Sequence, residues 1–454
     1  MCRSIIGISM SKSVALLLVL VFLAASSLVA FKPVSSANVP SGYWVSKAPM
    51  QVARSFVGVA VVNGKIYAIG GSADDGVVGT NEEYDPATDT WTFKTSMPTP
   101  RKKFAIVSCQ DKIYCIGGST DVQSQSITAI TEVYDPATDS WETKASLPNL
   151  RSGIKAHEVN GKIYIIGGVI SDNSTADFSL LSLNDVYDPE ADSWSSRTPM
   201  PTAMPGTLSA VVGEKIYFVM GLSDPHQIYD VENDRWSLAG TPLPAFSALH
   251  VTACATAGVD APERIYIVAD TGTLVYDPIN DEWTSGTTIL KYREGFSVAV
   301  VNDVLCAIGG FTGTNDMFWN IDITRYATNE QYTPFGYGTV PPEITVVSPK
   351  NEACTSADVT LDFTVNKQAS WLGYSLDGEG NVTVTGNVTL SGLPDGLHNV
   401  TVYARDEFGN LGVSETSSFT VDASFPVVPV AVASAASICV VGVGLLVYFK
   451  KRKH

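Results

Sequence analysis

Four arginines each stand ten residues after a tryptophan: Arg54 after Trp44, Arg101 after Trp91, Arg151 after Trp141 and Arg293 after Trp283. A guanidinium is a planar fork of donors that pairs bidentately with carboxylates and other anions, so this spacing can line an anion-recognising rim. The same regularity also suits a structural role, in which each arginine satisfies loop carbonyls between repeated units, and the residues alone leave both open. Met204 and Ser247 replace arginine in two further units. Phe318 and Trp319 are a second candidate pair, able to stack on a sugar or aromatic ligand or to pack inside a strand core. No catalytic residue, metal site or cofactor is assigned. His157, His226 and His250 fall at unlike positions and supply too few metal ligands, and no paired acid and base stands out.

What must position these residues is an internal repeat. The phrase Tyr84-Asp85-Pro86-Ala87-Thr88-Asp89-Thr90-Trp91 recurs at Tyr134 to Trp141, Tyr187 to Trp194, Tyr229 to Trp236 and Tyr276 to Trp283. Upstream of each lie two apolar strands around a tight turn, as at Asn63-Gly64, the second ending in a glycine pair such as Gly70-Gly71. Degenerate pairs at Met220-Gly221 and Ala269-Asp270 bring the units to six. The aspartates beside Tyr (Asp85, Asp135, Asp188, Asp230 and Asp277) lack calcium-loop spacing and read as turn residues.

Spacing and residue types over 44 to about 338 resemble the kelch repeat, which implies an all-β fold, a six-bladed β-propeller of four-stranded blades. Trp44 lacks the three strands that normally precede it, and no Trp follows Tyr326 at the expected place. The N-terminal strand is therefore expected to close the ring by pairing with the last blade, with Tyr332 in place of Trp as the rival closure. The connections from fourth to first and from second to third strand share one face, and only the second-to-third connection varies strongly in length. Variable loops on a rigid scaffold are where binding is expected. In kelch-type substrate adaptors, arginines at this place contact ligand, so the resemblance implies anion recognition by Arg54, Arg101, Arg151 and Arg293. Some relatives are enzymes, which keeps a carbohydrate-active alternative open, an acidic-sugar epimerase or an oxidase.

The ends add a location. Residues 1–37 carry Arg3 and Lys12, an apolar run and no acid, which reads as a secretory signal peptide cleaved after Ala37 or Ala30. The uncharged run within 426–449 is long enough to span a bilayer, and the basic tail 450–454 is expected to stay cytoplasmic. Residues 38–338 would then form an extracellular propeller, and 339–425 a linker with a β-sandwich resembling immunoglobulin or fibronectin type III domains. Asn173, Asn381, Asn387 and Asn399 are glycosylation acceptors in that setting. Cys109, Cys115, Cys254, Cys306 and Cys354 are too scattered for a disulfide framework. The net charge of −17 argues against nucleic acid as a partner. The order of segments resembles archaeal surface proteins. The expected role is binding or adhesion to an extracellular protein or glycan, with a structural surface-layer component as a further alternative.

Overall fold

The computed structural model describes residues 41–171, 178–204, 208–219, 225–244, 251–315 and 321–423. Residues 1–37, expected as a signal peptide, the apolar run 426–449 with its tail, Asn173, Phe318 and Trp319 lie outside them. Every regular element among the described residues is a β-strand, so no helix there is long and apolar enough to cross a membrane.

Six four-stranded antiparallel sheets follow one another. Sheet 1 consists of Gly58–Val62, Lys65–Ile69, Asn81–Asp85 and Thr90–Lys94, and sheet 2 of Ala105–Cys109, Lys112–Ile116, Thr131–Asp135 and Ser140–Lys144. Sheet 3 holds Ala156–Val159, Lys162–Ile166, Asn184–Asp188 and Ser193–Ser196, and sheet 4 holds Ser209–Val212, Lys215–Phe218, His226–Asp230 and Arg235–Ala239. Sheet 5 holds Thr252–Ala255, Ile265–Ala269, Gly272–Asp277 and Glu282–Gly286. Sheet 6 combines Ser297–Val301, Val304–Ile308 and Asn329–Thr333 with the N-terminal strand Tyr43–Lys47. First strands of consecutive sheets lie side by side, and that of sheet 1 also packs on that of sheet 6.

The repeated residues explain the packing. Asn63 and Gly64 both take positive φ, 51° and 72°, the conformation a two-residue hairpin needs. Gly70 sits at φ 64°, where a Cβ would come within 2.6 Å of the Arg101 carbonyl oxygen of the next sheet. The Tyr84 hydroxyl donates to Asp89 (2.7 Å), and Asp89 accepts the Ala48 N–H (2.9 Å). The Trp91 ring lies 4.9 Å from that of Tyr84 and its indole N–H reaches the Ala48 carbonyl at 2.7 Å. Each Tyr–Asp–Trp set thus ties its sheet to the one before. Asp85 caps its own turn through the Ala87 N–H at 2.9 Å, as expected of a turn residue.

Trp44 lies opposite Tyr332, with ring centroids 5.1 Å apart. The tyrosine of the sixth unit is therefore Tyr332, not Tyr326, and the two closures posed as rivals are one pairing. No aspartate follows Tyr332 at the usual distance, and its hydroxyl is buried without a hydrogen-bond partner. The long connections of units three and six, expected as loops, carry hairpins of their own, Val169–Ser171 with Phe178–Leu180 and Phe311–Asn315 with Ile321–Arg325.

After sheet 6, a three-stranded sheet (Ile344–Ser348, Val359–Val365, Val388–Leu390) faces a six-stranded one built on Gly396–Arg405. Leu361 and Phe363 of the first share a core with Val400, Val402 and Phe419 of the second. The stretch Val382 to Leu390 breaks near Gly386 into two strands, one in each sheet. Lys367 joins this unit to the propeller, its ammonium 3.4 Å from Asp260 and 3.3 Å from Asp406. Asn381 and Asn387 are exposed and Asn399 is half-buried. The Asn387 side chain donates to Asp362, and the Asn399 oxygen accepts from Ser418 at 2.7 Å. The five described cysteines are free thiols.

Candidate functional site: the loop face of the propeller

Units one, two, three and six enter their first strands through the same short segment, and the register within it sorts side chains into buried and presented. Arg54, Arg101, Arg151 and Arg293 are the buried ones, with no accessible surface. Arg54 donates to the carbonyls of Gly70 and Thr80 (both 2.8 Å) and of Ala68 (3.2 Å), and pairs with Glu82 at 2.8 Å. Arg101 pairs with Glu132, Arg151 with Asp185, and Arg293 with Glu330 at 3.1 Å. The carboxylates in turn accept N–H groups of the incoming loop. Glu82 holds Gln51 (2.6 Å), and Glu330 holds Leu290 (3.0 Å) and Lys291 (3.1 Å).

This corrects the expectation that the four arginines contact ligand. A guanidinium with no accessible surface, its terminal nitrogens on carbonyls and a carboxylate, cannot reach a ligand at the face, although the Nε of Arg54, Arg101 and Arg151 has no partner. A sequence signal for the pairing existed. The acid always lies two residues before the repeat tyrosine, and where Met204 replaces arginine that place holds Gln227, while the unit with Ser247 has Leu274 there. Arginine and acid are present together or absent together.

The presented residues are their neighbours. The residue before each arginine points outward and is apolar or aromatic: Leu150 is 49% exposed, Tyr292 57%, Pro100 exposed and Ala53 half-exposed. Two residues after each arginine the backbone is left-handed. Glycine serves in units three and six, Gly153 and Gly295 both at φ 61°, but Phe56 (φ 52°) and Lys103 (φ 53°) hold the same place in units one and two. A side chain there costs roughly 1–2 kcal/mol relative to glycine. These positions link neighbouring sheets at the inner edge, the Phe56 N–H reaching the Gly295 carbonyl (2.7 Å) and the Gly153 N–H that of Lys103 (3.1 Å).

Around Phe56 a cationic and aromatic group assembles. The Lys103 ammonium lies 4.9 Å and that of Lys102 5.8 Å from the ring centroid, within cation–π range, and Phe311 packs at 5.5 Å. Gly295 makes room, because a Cβ there would stand 2.8 Å from Phe311 and 3.0 Å from Phe56. Lys102 donates to the Val122 carbonyl at 2.5 Å. Burial and the neighbouring Lys103 charge lower its pKa to about 8, with Arg325 acting the same way and Asp121 opposing. Burial also lowers Lys103. Arg325 reaches Asp74 at 3.0 Å, and the Lys291 ammonium sits 3.7 Å over the Tyr326 ring.

Deeper along the axis, Lys155 of unit three donates to the Ser209 carbonyl (2.9 Å) and to that of Ala253, so it bridges to sheets 4 and 5. Burial lowers it to about 8. His157 shares a 2.7 Å hydrogen bond with Ser209, and burial together with Lys155 holds it well below the usual imidazole range. The opposite face has a cleft of about 490 Å³ between sheets 1 and 2. The charges of Glu83 there are already met by Lys65 (2.9 Å), Lys94 (3.2 Å) and Tyr67 (2.6 Å). Among the described residues no three His, Cys, Asp or Glu side chains gather as a metal-ligand set.

Residues 53–98, 100–148 and 150–201 match the Kelch motif model. The chain carries kelch repeats and has a β-propeller fold, commonly a protein-binding module. It is 44% identical over 91 residues to Halomucin of Haloquadratum walsbyi, covering 18% of this chain and 1% of that protein. To Kelch-like protein 35 of Mus musculus it is 26% identical over 132 residues, covering 27% of this chain and 22% of the relative. The chain thus spans less than a quarter of either relative. A solved structure titled "Structure of YjhT" aligns with 17% identity and a TM-score of 0.49 over 70% of this chain and 99% of that one.

Proposed function

We propose that the six sheets close into a six-bladed propeller, presented outside the cell by a single-pass membrane protein on a fibronectin- or immunoglobulin-like stalk, and that its loop face binds a protein or glycan without chemical turnover. Closure is supported by the pairing of Tyr43–Lys47 with Asn329–Thr333 and by the packing of sheet 1 on sheet 6. The membrane placement rests on the leader-like residues 1–37 and the uncharged run before Lys450.

The observation that carries the binding reading is the register of the strand-entry segment. In the four arginine-bearing units one residue is turned out toward an apolar rim, and two non-glycine side chains are held at left-handed positions inside it. Rigid backbone strain at presented side chains is the pattern of a binding site rather than of a core. The test is a panel of glycans and peptides applied to the full-length protein in detergent, followed by the double variant Leu150→Asp with Tyr292→Asp. The variant should lose at least tenfold in affinity for whatever the wild type binds. Unchanged affinity would place the ligand elsewhere.

A further inference from the structure

We propose that Lys103, with Lys102 and Arg325, forms an anion subsite around the Phe56 ring that takes the carboxylate or sulfate of an acidic sugar. This rests on the loop face being the ligand surface and adds the chemistry of the ligand. Lys103 carries the argument. Its ammonium faces the Phe56 ring at 4.9 Å, and among the described residues no hydrogen-bond acceptor or carboxylate meets it. Its backbone is fixed in the left-handed region at φ 53°, where the next unit uses Gly153. A partly buried ammonium with only a ring for company is costly unless an anion completes it.

The neighbouring charges point the same way. Lys102 is 4% exposed and held by the Val122 carbonyl, and the Nε of Arg325 is buried without a partner. Lys102 sits in the fields of both Lys103 and Arg325. Of the carboxylates that face them, one is committed to backbone groups and the other meets only Arg325, so among the described residues neither lysine has an ion-pair partner. Asp121 accepts the N–H groups of Gln125 (3.0 Å) and Ser126, and Asp74 pairs with Arg325 from an 80% exposed position. On a chain of net charge −17 three cations are thus gathered at one mouth. An anion between them would relieve their repulsion and gain charge-assisted hydrogen bonds.

A sugar fits better than an acidic peptide because the cations border aromatic faces. Phe56, Phe311 and Tyr326 are partly exposed around the group. The C–H face of a pyranose can lie on such rings while its acid group reaches Lys103.

Calorimetric titration of the full-length protein in detergent tests this with oligogalacturonate, chondroitin sulfate oligomers, neutral dextran oligomers, polyglutamate and sodium sulfate. The acidic sugars should bind at least tenfold more tightly than dextran, polyglutamate or free sulfate. Lys103→Gln should cost tenfold or more, and Lys103→Arg should retain most of the affinity. A thermal melt of Lys103→Gln matching the wild type separates lost contact from lost fold. If Lys103→Gln binds as the wild type while Leu150→Asp with Tyr292→Asp does not, the loop face stands and the subsite falls. Equal or tighter binding of polyglutamate or free sulfate overturns the sugar assignment, and absence of binding by either acidic sugar overturns the subsite.

Discussion

Arg54 and Glu82 meet at 2.8 Å with neither side chain exposed to solvent, and three further arginine–carboxylate pairs repeat this arrangement around the propeller. Each pair joins the strand-entry segment of its unit to the third strand of the same sheet, with loop N–H groups also on Glu82, Glu132 and Glu330 and the Ser196 hydroxyl on Asp185. The pair is a joint that fixes the height of the loop face.

Breaking one joint should be costly. Glu82→Leu leaves a buried guanidinium unpaired and is expected to lose about 3–5 kcal/mol in urea unfolding. The double variant Arg54→Met with Glu82→Gln, which copies Met204 and Gln227 of unit four, should recover much of that loss. A double variant as unstable as the single one would show that the arginine's carbonyl contacts, not the ion pair, carry the joint.

The left-handed positions predict the opposite sign. Lys103→Gly relieves backbone strain, so stability should be unchanged or rise by up to about 1 kcal/mol once the entropy of glycine in the unfolded chain is counted. Ligand affinity should fall all the same. A loss of stability beyond about 1 kcal/mol in the same unfolding assay would mean that the lysine side chain supports the fold.

The N-terminal strand should be indispensable to the ring. Trp44 is 4% exposed and packs on Tyr332, so Trp44→Ala should cost about 3–5 kcal/mol. It should also speed hydrogen exchange at Asn329–Thr333 ahead of the other sheets, measured by mass spectrometry. Uniform exchange across all sheets would argue against a local closure.

Buried thiols and buried lysines should pull stability in opposite directions as the pH turns alkaline. Burial raises Cys109 to about 11 and Cys115, Cys254 and Cys306 to about 12, so all four ionise in the unfolded chain first, and their stabilising effect is lost as pH rises above about 8.5. Lys102 and Lys155, lowered to about 8, act in the other direction, since the unfolded chain keeps their protons longer. Burial lowers Lys103 in the same sense as the other two lysines, so the two sets offset one another and the thiol share is read by difference, each fully separated proton being worth about 1.4 kcal/mol per pH unit. In urea unfolding under reducing conditions, the change in stability from pH 7.5 to 9.5 should be more favourable in Cys115→Ala with Cys306→Ala than in the wild type by about 2 kcal/mol, and an identical pH dependence in both would mean that these thiols do not ionise first in the unfolded chain.

Much of the fold could be read from spacing alone. Tyr84, Asp89 and Trp91 satisfy one another within eight residues, so the unit they define recurs wherever the phrase recurs. The sixth unit was harder, because its tryptophan comes from the other end of the chain, and the nearer Tyr326 looked like the natural partner.

The sequence by itself determined the repeats, their all-β character, the face on which variable connections gather and the placement of Trp44 as an outer strand, since each depends on contacts between residues close in the chain or on a periodic phrase. Only the tertiary structure decided which residue of the entry segment is buried. Arg54 and Lys103 differ by a step or two in register, and whether a side chain turns toward a carboxylate on the third strand or toward the mouth is set by packing across the sheet, which linear spacing does not contain.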